Sequence, residues 1–443
     1  MKKNFIVLVI VFSLIFLMLP ACSSEKKSLQ TNGTSQEVSD NNQQVEITVL
    51  ALDLWSKSLE EVINAFEKEN PSIKVKVVTQ PFKQIFETIE VQMMSKAPGF
   101  DVFPVDTPLV TNYTIKGYLI PLDSYFDSNL KQSWIETALD GGTYNGKLMA
   151  APMNTSSQVL YYNKDIFKER GIDFPPSDVK DRWTWEQLVE VAKKLTYDKK
   201  DGQRVYGFTF DQVGRPYQLI PLGQSLGAKV MSDDGLVSVG YTNSPEMVKA
   251  AKFYYDLFNT WKVSPKIGQE VTREYFATGK VAMFLGLTNA LNVFKDKINL
   301  GISWHPYFAG GKVVTPTGSW YLGISSYSQK KEAAAKFIKF ITTGKGAEIW
   351  FHSYKQLPVQ KDLLESIEKN QKDDIESQVF KIAAYEATHT AVPRPKSPGY
   401  LEWENALYQA FEDIKNGTDP KTALDQAVEI IDKQLKKYES AVK

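Results

Sequence analysis

The chain reads as an α/β protein whose helices cover the faces of mostly parallel sheets. Three observations predict this class. Strand and helix periodicities alternate from Val45 onward, and a second set of the same kind begins near Val159. The composition is that of a packed globular chain: 443 residues, 43% apolar, 12% aromatic and 23% charged.

The elements follow in order. Residues 45–52 alternate and then turn fully apolar, which suits a central strand. Leu59, Val62, Ile63 and Phe66 fall at helical spacing, and Asn70 with Pro71 ends that helix. Ile73, Val75 and Val77 alternate as a second strand, and Phe82, Ile85, Phe86, Ile89 and Met93 return to the helical period. A short buried strand over 101–105 precedes a helix that runs to Gly117. In sheets built this way ligands lie outside the carboxyl ends of the strands, which puts Asp53, Trp55, Gln80, Phe82 and Asp106 beside one crevice. In the middle of the chain, 159–163 reads as a strand opening into a helix. Thr184 with Gln187 forms a capping-box pattern, and 205–210 is a further strand. Residues 247–258, 332–342 and 401–415 are amphipathic helices.

The 52 basic and 52 acidic residues cancel, so the charge gives no support for nucleic-acid binding. The single cysteine excludes an internal disulfide and a thiolate-held metal. Lys2 and Lys3 followed by an apolar run over 5–19 form a secretion signal, residues 1–21. Its end, at Ala21 and Cys22, resembles a bacterial lipobox, which implies a lipidated Cys22. Removing residues 1–21 leaves a net charge of −2. Residues 22–44 are then the lipidated cysteine and a polar tether, too poor in apolar groups to fold and spanning roughly 25 Å as a coil.

Motifs for covalent chemistry are weak. Gly223, Ser225 and Gly227 fit a nucleophile elbow, but Pro216 and Pro221 precede the serine where a buried strand is required. His305, His352 and His389 lack metal-ligand spacing, and no phosphate-binding loop occurs. Asp198, Asp201 and Gly202 read as a polar hairpin turn. No cofactor and no metal are expected. The aromatics are more informative, because Trp55, Trp304, Tyr307, Trp320, Tyr321, Tyr400 and Trp403 recur at loop and strand-end positions. Flat rings beside carboxylates, amides and arginine are what a sugar pocket needs.

From Val45 onward the chain resembles an extracellular solute-binding protein of the maltose-binding type, the sugar-capturing subunit of an ABC importer. The resemblance rests on 59–71, 99–106, 116–123, 144–152, 160–165, 184–188, 276–283, 318–320 and 393–395. It implies a two-lobed periplasmic-binding-protein-like fold with the ligand cleft between the lobes. The first lobe would be 45–152 plus 319–361, and the second 153–318 plus 362–443. It further implies ligand contacts at Asp53, Trp55, Asp106, Asn154, Arg215, Tyr217, Asn289, Trp320, Arg394 and Tyr400, beside Gln80 and Phe82 from the crevice argument. Val105 stands where some relatives carry a stacking Trp, and Asn289 is an amide in place of a ring. A carbohydrate is therefore implied without implying maltose.

The expectation is a monomeric binding protein and not an enzyme. It is held outside the cytoplasm by lipid on Cys22 alone, and its partners are a carbohydrate and the permease subunits of an ABC transporter. A surface-anchored glycoside hydrolase is the alternative, with Asp53 and Asp106 as its only carboxylate pair. A ligand-presenting subunit of a sensor is another.

Overall fold

The computed structural model describes residues 44–212 and 214–442. The secretion signal, Cys22 and the tether up to residue 43 lie outside the described residues. The strands of the two main sheets are β1 (Val45–Leu52), β2 (Ile73–Gln80), β3 (Val102–Asp106), β4 (Ala151–Pro152), β5 (Gln158–Asn163), β6 (Tyr197–Asp198), β7 (Arg204–Phe210), β8 (Val281–Leu287), β9 (Leu300–Ser303) and β10 (Trp320–Ile324).

The first sheet has the order β2-β1-β3-β10-β4, and the second β9-β5-β8-β7-β6. Two strands of the second body, β5 and β9, and everything between them intervene before β10 returns to the first sheet. The first sheet is therefore discontinuous in sequence. The α/β class and the two lobes stand as expected, but the sheets are mixed and not mostly parallel. In the first, β1 pairs in parallel with β2 and β3, whereas β10 runs antiparallel to β3 and β4. In the second, only β7 and β8 are parallel, and β5 runs antiparallel to both β8 and β9. The physical reason is the crossing. A chain that passes between lobes re-enters each sheet from the cleft side, so β5 and β10 run against the strands they join.

Local sequence fixes the elements. In the helix Ser56–Glu69, Leu59, Val62 and Phe66 are buried on one face, and Phe66 meets Phe337 and Phe340 edge to face. Thr184 and Gln187 close the expected capping box: the Thr184 hydroxyl accepts from the Gln187 amide at 3.2 Å, and the Gln187 side chain accepts from the Thr184 amide at 2.8 Å. The hairpin turn forms where Asp198 pairs with Arg204. Helix Ile375–His389 packs on β5 and β9, and helix Tyr400–Asn416 packs on Pro245–Asn259.

Ser225 ends the helix Ile220–Ser225 and does not stand at a strand-to-helix elbow. Its hydroxyl donates to the Lys312 carbonyl at 2.7 Å and accepts from the Phe308 amide at 3.1 Å, a purely structural use.

The passages between the lobes lie side by side. The Met153 amide donates to the Trp320 carbonyl at 3.0 Å, and the Thr155 amide to the Leu357 carbonyl at 2.8 Å. Thr155 and Thr317 share a hydroxyl contact of 2.8 Å, and Ser156 donates to the Gly318 carbonyl at 2.8 Å. Short strands Thr315–Pro316 and Ala391–Val392 run parallel to one another beside them.

Candidate functional site

Two constellations meet where β3 and β10 reach the crossings. The first is aromatic. Trp320 opens β10, stacks on Phe86 at 6.0 Å with the planes 16° apart, and receives the edges of Trp55 at 5.3 Å and Phe82 at 6.1 Å. Trp55 lies deeper, against Trp350 at 5.6 Å and Tyr354 at 6.4 Å. Trp55 is 1% exposed and Trp320 8%, whereas Phe82 is 39% exposed. Phe82 is therefore the open face of this group, and Trp55 its floor.

The second constellation is ionic. Asp106 ends β3, buried, and is held by two guanidinium groups. Arg215, from the loop after β7, reaches Oδ2 through Nη2 at 2.6 Å. Arg394, from the segment after Ala391–Val392, donates from Nη1 to Oδ2 at 3.1 Å and from Nη2 to Oδ1. Arg215 also forks onto Glu404, with Nε at 3.1 Å from Oε1 and Nη2 at 3.1 Å from Oε2. Tyr400 donates to Oε1 of Glu404 at 2.9 Å. Burial would raise the Asp106 carboxyl, but Arg394 and then Arg215 overrule it and hold it at about 2. The Arg394 guanidinium lies 5.0 Å from the Tyr217 ring centre and 5.7 Å from that of Tyr400, and Arg215 lies 5.9 Å from that of Phe82.

Gly318 makes room for this arrangement. Its φ is +142°, and a Cβ there would sit 2.7 Å from Nη2 of Arg394. The strap that carries Arg394 touches both lobes: Lys396 pairs with Asp140 at 2.7 Å, and Ser397 donates to the Gly235 carbonyl at 2.6 Å.

Of the residues singled out from sequence, the structure brings together Trp55, Phe82, Asp106, Arg215, Tyr217, Trp320, Arg394 and Tyr400. Asn154 is buried at the crossing, where it donates to Ser319 Oγ at 2.7 Å and to Gln356. Gln80, at the end of β2, is half-buried. Asp53 is exposed, and the contact recorded there is from Ser56 Oγ to its carbonyl at 2.7 Å. Asn289 is exposed and accepts from Arg273 at 3.2 Å. Sequence reasoning missed Phe86, Tyr354 and Glu404 as members of the site. Phe86 sits in a helical apolar stripe and reads as core, Tyr354 closes a helix distant in sequence, and Glu404 reads as the polar face of an amphipathic helix.

Comparison with known proteins places the whole chain among sugar-binding relatives in sequence and fold. The maltodextrin-binding protein MdxE of Bacillus subtilis is 24% identical over 445 residues, covering 98% of each chain. A maltooligosaccharide ABC transporter solute-binding lipoprotein of Streptococcus pneumoniae is 25% identical over 433 residues, covering 95% of this chain and 94% of the relative. Among solved structures, an ABC substrate-binding protein of Listeria monocytogenes in complex with cycloalternan superposes with a TM-score of 0.75 at 26% identity, covering 89% of this chain and 99% of that one. The family model of the bacterial extracellular solute-binding protein matches residues 54–348, well over half the chain. With its two sheets, its crossings and the site gathered beside them, the chain belongs to the bacterial extracellular solute-binding proteins.

Proposed function

We propose that this protein captures a mono- or oligosaccharide outside the cytoplasm and delivers it to the permease of an ABC importer, anchored by lipid on Cys22. The observation that carries the reading is the union of the Phe82–Phe86–Trp320 rings with the Asp106–Arg215–Arg394 cluster. A pyranose presents apolar C–H faces to rings and hydroxyls to charged groups, and both are available within one site. The names of the relatives support the ligand class, and the pneumococcal relative's designation as a lipoprotein supports the anchor.

The work is differential affinity. A ligand that touches both lobes only when they close shifts the open–closed equilibrium toward the closed form. The lobes are taken as 45–152 plus 319–361 and 153–318 plus 362–443. Several polar contacts of roughly 0.5–3 kcal/mol each, with stacking, suffice for micromolar affinity near −8 kcal/mol.

The hydrolase alternative fares worse on this geometry. A general acid must carry a proton near neutral pH, and Asp106 is held ionised by two arginines down to about 2. Its nominated companion Asp53 is exposed on the 3-10 turn Asp53–Trp55.

The test is calorimetric titration of the mature protein with a panel of monosaccharides and of malto- and galacto-oligosaccharides, followed by chromatography of the recovered sugar. Saturable binding with intact sugar supports the reading; absence of binding across the panel, or accumulation of shorter products, overturns it. Fractionation of cells carrying Cys22→Ser tests the anchor, with release from the membrane fraction expected.

A further inference from the structure

A second polar element stands at the cleft edge of the other sheet, outside the Asp106 cluster. Gln158 opens β5 and is opposite Leu287, the last residue of β8. Because β5 runs antiparallel to β8, and β8 parallel to β7, the amino end of β5 lies at the edge where β7 and β8 end. The loop bearing Arg215 leaves from that same edge. Gln158 is 0% exposed and Gln218 2%. Gln158 Nε2 donates to Gln218 Oε1 at 2.7 Å. Gln218 ends the 3-10 turn Pro216–Gln218, directly after Tyr217, the ring beneath Arg394. Burial raises the Tyr217 hydroxyl, while Arg394, Arg215 and a hydrogen bond from the Gln218 side chain pull the other way.

The two amides thus form a buried pair next to Tyr217, with Gln158 oriented by its bond to Gln218. The other amide atom, Gln158 Oε1, is buried and has no hydrogen-bond partner among the described residues. Ser157 Oγ beside it is in the same condition. A buried amide oxygen without a donor is costly, and an apolar side chain of the same length would avoid the cost. The bond to Gln218 accounts for Gln158 Nε2 but leaves its Oε1 unexplained.

We propose that Gln158 is a specificity-determining residue of the ligand site, its Oε1 accepting a hydrogen bond from a ligand hydroxyl, with Gln218 as the positioning residue that orients it. The inference rests on the carbohydrate reading above and adds to it a recognition point in the second lobe that no charged group supplies.

The experiment uses the mature full chain with maltotriose, maltotetraose, cycloalternan and galactobiose, taking as probe the sugar that wild type binds most tightly. Gln158→Met keeps the length and removes both amide functions. It should weaken binding by the folded protein about tenfold or more, while the melting temperature of the sugar-free protein falls by a few degrees because Gln218 Oε1 loses its donor. Gln218→Met leaves Gln158 in place but unoriented and should weaken binding by a smaller factor; it stands in should Gln158→Met fail to fold. Unchanged affinity in both variants, with wild type binding normally, overturns this inference and leaves the carbohydrate reading intact. Failure of wild type to bind these four or any mono- or oligosaccharide of the calorimetric panel overturns both together.

Discussion

Trp320 and Asp106 are cross-strand partners, opposite one another in the antiparallel ladder of β10 and β3. Partners of this kind project to the same face of a sheet. One register position therefore joins the aromatic group to the ionic one, and a slip of a single residue would separate them. The site depends on β10 returning to the first sheet directly from the crossing.

Trp320 and Phe82 should respond differently to truncation. Trp320 is nearly buried among Trp55, Phe82 and Phe86, so Trp320→Ala should lower stability by about 3–5 kcal/mol as well as affinity. Phe82 is 39% exposed and has less to lose in the sugar-free protein. Phe82→Ala should weaken sugar binding by roughly 1 kcal/mol, with a melting temperature near that of wild type. Affinity and thermal unfolding of both variants check this, and a Phe82→Ala protein with unchanged affinity would remove Phe82 from the site.

The pH dependence of stability should carry the signature of Asp106. Its folded value of about 2 lies below the unfolded value near 3.9. The stabilisation is therefore fully present above about pH 4 and is lost as the pH falls through about 2. At ~1.4 kcal/mol per unit, about 3 kcal/mol is at stake. Urea unfolding of wild type and Asp106→Asn between pH 5 and pH 2.5 should show the gap between them narrowing on the acid side. A gap that stays constant would mean that the two arginines do not hold the carboxylate as the geometry requires.

The legibility of the fold and that of the site differ for physical reasons. Strand and helix periodicities are local, so Val45–Leu52, Ser56–Glu69, Phe82–Met94 and the Thr184 capping box were readable residue by residue. Strand direction is not local. The antiparallel entry of Gln158–Asn163 and Trp320–Ile324 depends on where the chain crosses between lobes, which alternating periodicities do not encode. Asp106 was visible as a polar residue at a strand end and Arg215 and Arg394 through the resemblance, but their convergence on one carboxylate links positions 109 and 288 residues apart. Asp53 was placed by the end-of-strand argument and Asn289 by the resemblance, and both are exposed, since neither a strand end nor a matched motif fixes the direction of a side chain. Glu404 was hidden because one helical turn from Tyr400 it carries no mark distinguishing it from a solvated acid.

Gly318 should tolerate no side chain without consequence for Arg394. Its φ of +142° disfavours any L-residue, and a Cβ would crowd both Nη2 and Nε of Arg394, the latter at 3.0 Å. Gly318→Ala should cost about 1–3 kcal/mol in stability. By displacing Arg394 from Asp106 it should also weaken sugar binding and move the acid limb of the stability profile to higher pH. Denaturation across pH with parallel sugar titration checks this. A loss of stability with no change in the acid limb would assign the effect to backbone strain alone.

Arg215 holds Glu404 on its own lobe and Asp106 across the cleft, through separate edges of one guanidinium. A lysine keeps the charge but presents a single ammonium and cannot fork in this way. Its side chain is also the most open of the cluster, 21% exposed against 5% for Arg394 and 3% for Asp106, so replacing it should perturb the lobes' approach more than their cores. Arg215→Lys should keep a near-native melting temperature. It should give a larger radius of gyration by small-angle scattering without sugar, return to the wild-type value when sugar is saturating, and bind sugar about tenfold more weakly. That combination is the mark of a closure contact, because only the open–closed balance has changed. Identical radii for wild type and Arg215→Lys without sugar would show that the Arg215–Asp106 pair does not contribute to closure.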